Sequence, residues 1–104
     1  MPRVILGLVS VATVEYGDFE WDATKAAQNE RKHGVSFPEA VTVFSDPRAI
    51  DAPDILEPSR FVIIGMSRIA RMLFVVFAER GERIRIISAR RANAAQRKKY
   101  EEDS

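Results

Sequence analysis

The sequence predicts an α+β domain: two helices first, then an antiparallel sheet of four strands, five if an N-terminal run also pairs, and a helix at the C-terminus. Three observations carry this. Residues 36–44 place Phe37, Ala40, Val41 and Phe44 at helical spacing, i, i+3, i+4, i+7. Residues 61–66 and 72–78 are near-continuous apolar runs, as expected of strands covered on both faces. Residues 79–91 alternate apolar and charged positions and hold five arginines.

Length and composition bound the problem. A chain of 104 residues makes one small core, and residues 1–18 are read as an extension ahead of a domain spanning 19–104. The absence of cysteine excludes disulfides, thiolate metal sites and cysteine nucleophiles, and makes a reducing cytoplasm the simplest location. One histidine without H-x-x-x-H spacing argues against a catalytic zinc, and no cofactor or metal is expected. The net charge of +1 conceals a strong polarity. Residues 1–59 carry five Lys/Arg against ten Asp/Glu, whereas residues 60–104 carry eleven against five. The basic half is where phosphate or an acidic protein would bind, unless it is simply a solvated surface.

The elements follow in order. The apolar run Val4–Val14 is too short for a bilayer-spanning helix, which takes roughly 20 residues, and no A-x-A-like cleavage site follows it. It reads as an extra strand or a tail, and no membrane contact is expected. Asp22 caps a first helix that ends at His33, with Gly34 taking the positive φ of its C′ position. His33 is either a packed, hydrogen-bonded side chain or a general acid or base. Ser36 and Glu39 form a capping box for the second helix, which Asp46-Pro47 ends.

Arg48–Ala52 reads as a short edge strand, and Pro53–Ser59 as a surface loop. Residues 67–71 make a hairpin link between the two apolar strands. A second hairpin turns at Arg80-Gly81. A two-residue loop there sets Phe77 against Ile84, Val75 against Ile86 and Glu79 against Glu82; a three-residue loop with a bulge avoids that like-charge pair. Asn93 and Gln96 open the last helix, which is polar nearly all round and whose terminal Glu101, Glu102 and Asp103 oppose the helix dipole and are expected to fray.

Several separated motifs then resemble one family. Phe19-Glu20-Trp21-Asp22 before a lysine-bearing helix, Arg31-Lys32-His33-Gly34-Val35-Ser36-Phe37 with Glu39-Ala40, Phe44-x-Asp46-Pro47, Arg80-Gly81, and Arg85-Ile86-Ile87-Ser88-Ala89-Arg90-Arg91-Ala92 together are similar to the BrnT toxins. The resemblance covers residues 19–101. It implies a RelE-like ribonuclease fold and the toxin half of a type II toxin-antitoxin pair. It further implies RNA cleavage that blocks translation and neutralisation by a BrnA-like antitoxin with a ribbon-helix-helix DNA-binding end. Operator DNA would be met only through that antitoxin.

Cleaving RNA without metal requires removal of the 2′-OH proton, stabilisation of a crowded phosphorane and protonation of the leaving oxygen. Arginine suits the middle task, because its planar fork of donors matches phosphate oxygens and stays charged. Arg83 and Arg85 share a strand face, and Arg90 joins them if the strand twists or bulges. Their alternative role is a solvated face or ion pairs to Glu79 and Glu82. Glu79, at the hairpin beside them, is the candidate base, with a plain turn carboxylate as the alternative.

Arg80, Arg91, Lys98 and Lys99 are candidates for tracking phosphate. Tyr100 would stack on a base or donate a proton, or else anchor its helix to the sheet. Arg60, at the head of the basic half, and His33 complete the candidates. No histidine lies near the basic strand, so proton transfer would fall to groups of ill-matched pKa and the chemistry would be slow. Two rival readings are a non-catalytic basic module for nucleic acid or an acidic partner, and a scaffold with incidental charge.

Overall fold

The computed structural model describes residues 12–103. Strands β1 (Thr13–Tyr16) and β2 (Phe19–Asp22) precede helices α1 (Ala23–His33) and α2 (Phe37–Thr42), the latter extended by a 3-10 turn, Val43–Ser45. Strands β3 (Ile50–Pro53), β4 (Phe61–Met66), β5 (Met72–Arg80) and β6 (Arg83–Arg91) follow, then helix α3 (Ala94–Asp103). They form one six-stranded sheet in the order β1-β2-β6-β5-β4-β3.

The sheet is mixed, which corrects the expectation of an antiparallel sheet of four or five strands. Phe19–Asp22, read from sequence as the approach to a helix, is a strand that runs parallel to β6 through Phe19↔Ile84 and Glu20↔Arg85. Its four residues alternate core and solvent positions too briefly to announce a strand, and its partner lies at the other end of the chain. Of the N-terminal run, Ala12, Thr13 and Val14 fall among the described residues; Ala12 accepts from the Ala23 N–H, and Thr13 and Val14 belong to β1. The rest of that run lies outside them.

Both helix caps form as the residue types require. The Asp22 carboxylate accepts from the backbone N–H groups of Thr24 and Lys25, and Gly34 sits at φ 70°. The Ser36 hydroxyl accepts from the Glu39 N–H at 3.2 Å, one half of the expected capping box, while the Glu39 carboxylate turns to Arg71 and Ser67 instead of back to Ser36. Helix α3 continues through Asp103, and Lys98 and Lys99 face Glu102 and Asp103 one turn away, an i,i+4 pairing that offsets the unfavourable dipole.

The core lies between α1, α2 and one face of the sheet. Val35, Phe37, Ala40 and Val43 meet Trp21, Ile63, Leu73, Val75, Phe77, Ile86 and Ala89. Phe44 bridges Phe19 and Phe77, with ring centroids 5.0 Å away on each side. Gly65 is required here, because a Cβ at that position would come within 2.8 Å of Val43 and 2.9 Å of Ala49. On the opposite face α3 covers only one end, where Tyr100 and Ala92 pack with Ile64, Phe74 and Met72. The remainder of that second face is open and carries the basic strand.

Candidate functional site

The β5–β6 hairpin differs in register from the sequence expectation. Its two-residue turn is Gly81-Glu82, with Gly81 at φ 61°, so Arg80 pairs with Arg83, Glu79 with Ile84, Ala78 with Arg85 and Phe77 with Ile86. Glu79 and Glu82 therefore never face each other, and moving the turn by one residue removes the like-charge contact. The ladder then slips between Val76 and Phe77, where Phe77 pairs with Ile86 and Val76 with Ser88, leaving Ile87 as an extra residue.

This bulge reorganises the arginines. Side chains alternate along a strand, and one extra residue resets the alternation. Arg83 and Arg85 project on the face opposite α1 and α2, and after Ile87 so do Ser88 and Arg90. The three arginines thus share one face, the outcome that a bulge allowed. Glu79 pairs with Ile84, and it lines a hollow with Phe44, Phe61, Ile63 and Phe77 on the helix-bearing face. The fold does not bring it to Arg83, Arg85 and Arg90.

The carboxylates that do meet these arginines come from the N-terminal hairpin. Arg85 Nη1 lies 2.6 Å from Glu20 Oε2, and both side chains are largely buried. Arg83 reaches Glu15 at 3.3 Å and donates from Nε to the carbonyl of Gly17 at 3.2 Å. The expected partners were Glu79 and Glu82; Glu15 on β1 and Glu20 on β2 are the actual ones. Arg85 also lines a cleft of about 200 Å³ with Arg60, Arg80, Lys25, Asp22 and Ile87. Arg60 and Arg80 are therefore brought to the same place as Arg85.

Other candidates sit elsewhere. The Arg90 guanidinium lies 4.5 Å above the Phe74 ring and donates to Gln96 Oε1 at 3.0 Å, so it abuts the start of α3. Tyr100 is buried under α3, and its hydroxyl donates to Asp46 Oδ2 at 2.8 Å, the geometry of an anchor. Burial and the Asp46 carboxylate raise the Tyr100 pKa above its ordinary value. Burial pulls Asp46 upward, but the N–H groups of Met66 and Arg48 and the Tyr100 hydroxyl outweigh it, leaving Asp46 below the usual value. Lys98 and Lys99 are exposed on α3, Arg91 is exposed at the end of β6, and His33 is half-buried at the end of α1.

Sequence reasoning missed Glu20 and Asn29. Asn29, buried on α1, donates from Nδ2 to the carbonyl of Ala89 at 2.8 Å and to that of Val35 at 3.0 Å, and accepts from Ala89 N–H at 3.1 Å. Its amide stands where a further strand would satisfy β6 beyond the short β2 pairing, and so fixes the strand just after its bulge. No motif spacing signals this role. Glu20 could have been suspected only from a β2–β6 pairing that itself was not legible.

Among the described residues, no group of three or more His, Asp or Glu side chains is arranged to hold a metal ion, and no helix is long and apolar enough to cross a membrane. The profile of a family described as "Ribonuclease toxin, BrnT, of type II toxin-antitoxin system" matches residues 21–96. Among solved structures, that of the Brucella abortus ribonuclease toxin BrnT, at 1.1 Å resolution, is similar with a TM-score of 0.59 and 28% sequence identity, over 70% of this chain and 92% of that one. No curated protein matches.

Proposed function

The chain belongs to the BrnT family of ribonuclease toxins of type II toxin-antitoxin systems, and from that premise we propose that it is a metal-independent endoribonuclease whose site is the arginine face of β6. The observation that carries this reading is the bulge at Ile87, which turns Arg83, Arg85 and Arg90 to one face. Arg60 and Arg80 border the same cleft as Arg85.

In this mechanism Arg85 and Arg83 grip the scissile phosphate through their planar donors and stabilise the charge that develops on the phosphorane. Arg60 and Arg80 hold the flanking strand, and Arg90, braced on Phe74, limits the site toward α3. Glu20, held against Arg85, shares that face and takes the 2′-OH proton; Glu79 would have to act from the hairpin tip. The bond from the 2′ oxygen to phosphorus forms, the bond to the 5′ oxygen breaks, and the departing 5′ oxygen takes its proton from water. The products are a 2′,3′-cyclic phosphate and a 5′-OH end. Arg91, Lys98 and Lys99 lie outside the cleft and act on RNA only through long-range attraction.

Cleavage of translated RNA would block protein synthesis in the cytoplasm. A BrnA-like ribbon-helix-helix antitoxin would neutralise the toxin and alone bring it to operator DNA. The test is RNA cleavage by antitoxin-free protein, comparing wild type with Arg83→Ala, Glu20→Gln and Glu79→Ala. Loss of cleavage in the first two supports the assignment. Loss only in Glu79→Ala returns the base to the hairpin. Binding without cleavage by wild type overturns the enzyme and favours a basic module that grips nucleic acid or an acidic partner.

A further inference from the structure

A second cleft, of about 240 Å³, lies beside the first and shares Lys25 and Ile87 with it. Its other lining residues are Gln28, Asn29, Lys32 and His33. These five positions of α1 stand at i, i+3, i+4, i+7 and i+8, one continuous stripe of the helix. Asn29, the buried member, fastens that stripe to β6 at Ala89, immediately beyond the bulge. The two hollows are therefore one groove, running from Arg60, Arg80 and Arg85, past the Lys25–Ile87 ridge, to Lys32 and His33.

The charge in this groove is poorly compensated. Lys25, Lys32, Arg60 and Arg80 have no ion-pair partner among the described residues, unlike Arg83 and Arg85. The one carboxylate lining it, Asp22, is occupied in capping α1. A trough with four unpaired cations and an apolar ridge fits a polyanion that also carries flat apolar groups, and single-stranded RNA has both properties.

The geometry points to a flanking-phosphate subsite on α1, in which Lys25 and Lys32 hold the RNA strand leading away from the arginine site and the half-buried Ile87 separates the two binding positions. This inference rests on the ribonuclease reading for the choice of ligand, but concerns a different element and a different step. Substrate length is its consequence. A dinucleotide fills the arginine cleft alone, whereas a longer strand also gains the α1 contacts.

The test uses non-cleavable 2′-O-methyl oligonucleotides, two and eight nucleotides long, bound to full-length protein over a salt series and read by fluorescence anisotropy. Wild type should bind the longer one more tightly. Lys25→Gln/Lys32→Gln should remove that length advantage and lower the slope of log affinity against log salt by about 1.4, two single-strand phosphates' worth. Arg31→Gln/Arg68→Gln removes the same charge outside the groove and controls for net charge.

A wild-type slope and length advantage in the lysine variant would overturn the subsite, as would an equal loss in the control or no length advantage in wild type. The enzyme reading fails separately, if wild type binds through the groove but does not cleave RNA.

Discussion

Arg71 and Arg85 each meet a glutamate from a distant part of the chain, yet the two pairs are built for different ends. Arg71, at the start of the β5 side of its hairpin, donates to both carboxylate oxygens of Glu39 and, at 3.0 Å, to the carbonyl of Gly34. Glu39 also accepts from the Ser67 hydroxyl at 2.7 Å. Nε and Nη2 of Arg71 are engaged by Glu39 and Gly34, both Glu39 oxygens are taken, and the pair ties the β4–β5 turn to α2. Arg85 makes one hydrogen bond, from Nη1 to Glu20, and borders a cleft with two further arginines. Its remaining donors are available to a ligand. Between these two arginines of similar burial, the number of donors already engaged separates the structural side chain from the one better placed to bind phosphate.

Substitution tests this contrast most sharply. Arg85→Ala should lower kcat/KM for RNA cleavage by about 10²–10³, the usual cost of losing one preorganised transition-state donor. Its stability loss should be the smaller of the two, because one hydrogen bond joins Arg85 to Glu20 where two join Arg71 to Glu39. Arg71→Ala should do the reverse, destabilising the fold by about 3 kcal/mol because Glu39 is left buried without its counter-charge. Urea unfolding and single-turnover cleavage on both variants measure the two effects; matching losses of activity and stability in each would erase the distinction.

A smaller effect is expected at Asn29, whose replacement by Ala strands the Ala89 backbone groups and should cost about 2 kcal/mol. Because Asn29 positions β6 rather than touching RNA, hydrogen exchange at Ala89 should rise together with the fall in cleavage; a variant protected like wild type would refute the bracing role. Gly65→Ala, on the structural side, should cost about 1–3 kcal/mol through overpacking against Val43 and Ala49, without changing cleavage by the folded fraction.

The smallest effect is in pH dependence. The Arg71 hydrogen bond holds Glu39 below its ordinary 4.5, and Asp46 is held below 3.8. Groups lowered on folding add stability that is present above those values and lost as pH falls through the folded ones. Tyr100, raised above 10.0, adds stability that is lost as pH rises past that value. Glu39→Gln and Tyr100→Phe should flatten the acid and alkaline limbs respectively in a Tm series, and an unaltered limb would contradict the corresponding assignment.

The same contrast explains what could be read from sequence. Asp22, Gly34 and the Ser36–Glu39 box announced both N-terminal helices because capping is local chemistry. The apolar runs gave β4 and β5, since strands covered on both faces need them. Strand β2, and with it Glu20 as the partner of Arg85, was illegible, because a four-residue strand gains its identity from pairing with a segment more than sixty positions away. The arginine face was half legible: alternation grouped Arg83 with Arg85, and the bulge at Ile87, held by Asn29 from another helix, decided the side on which Arg90 emerges.

We propose that the arginine face cleaves RNA by attack of the RNA's own 2′-OH. The most direct measurement is end-group analysis of single-stranded RNA incubated with antitoxin-free protein in excess EDTA. The account predicts 2′,3′-cyclic phosphate and 5′-OH ends, and no cut where the scissile nucleotide is 2′-deoxy. Products with 5′-phosphate ends, cleavage at the 2′-deoxy position, or RNA left intact would contradict it.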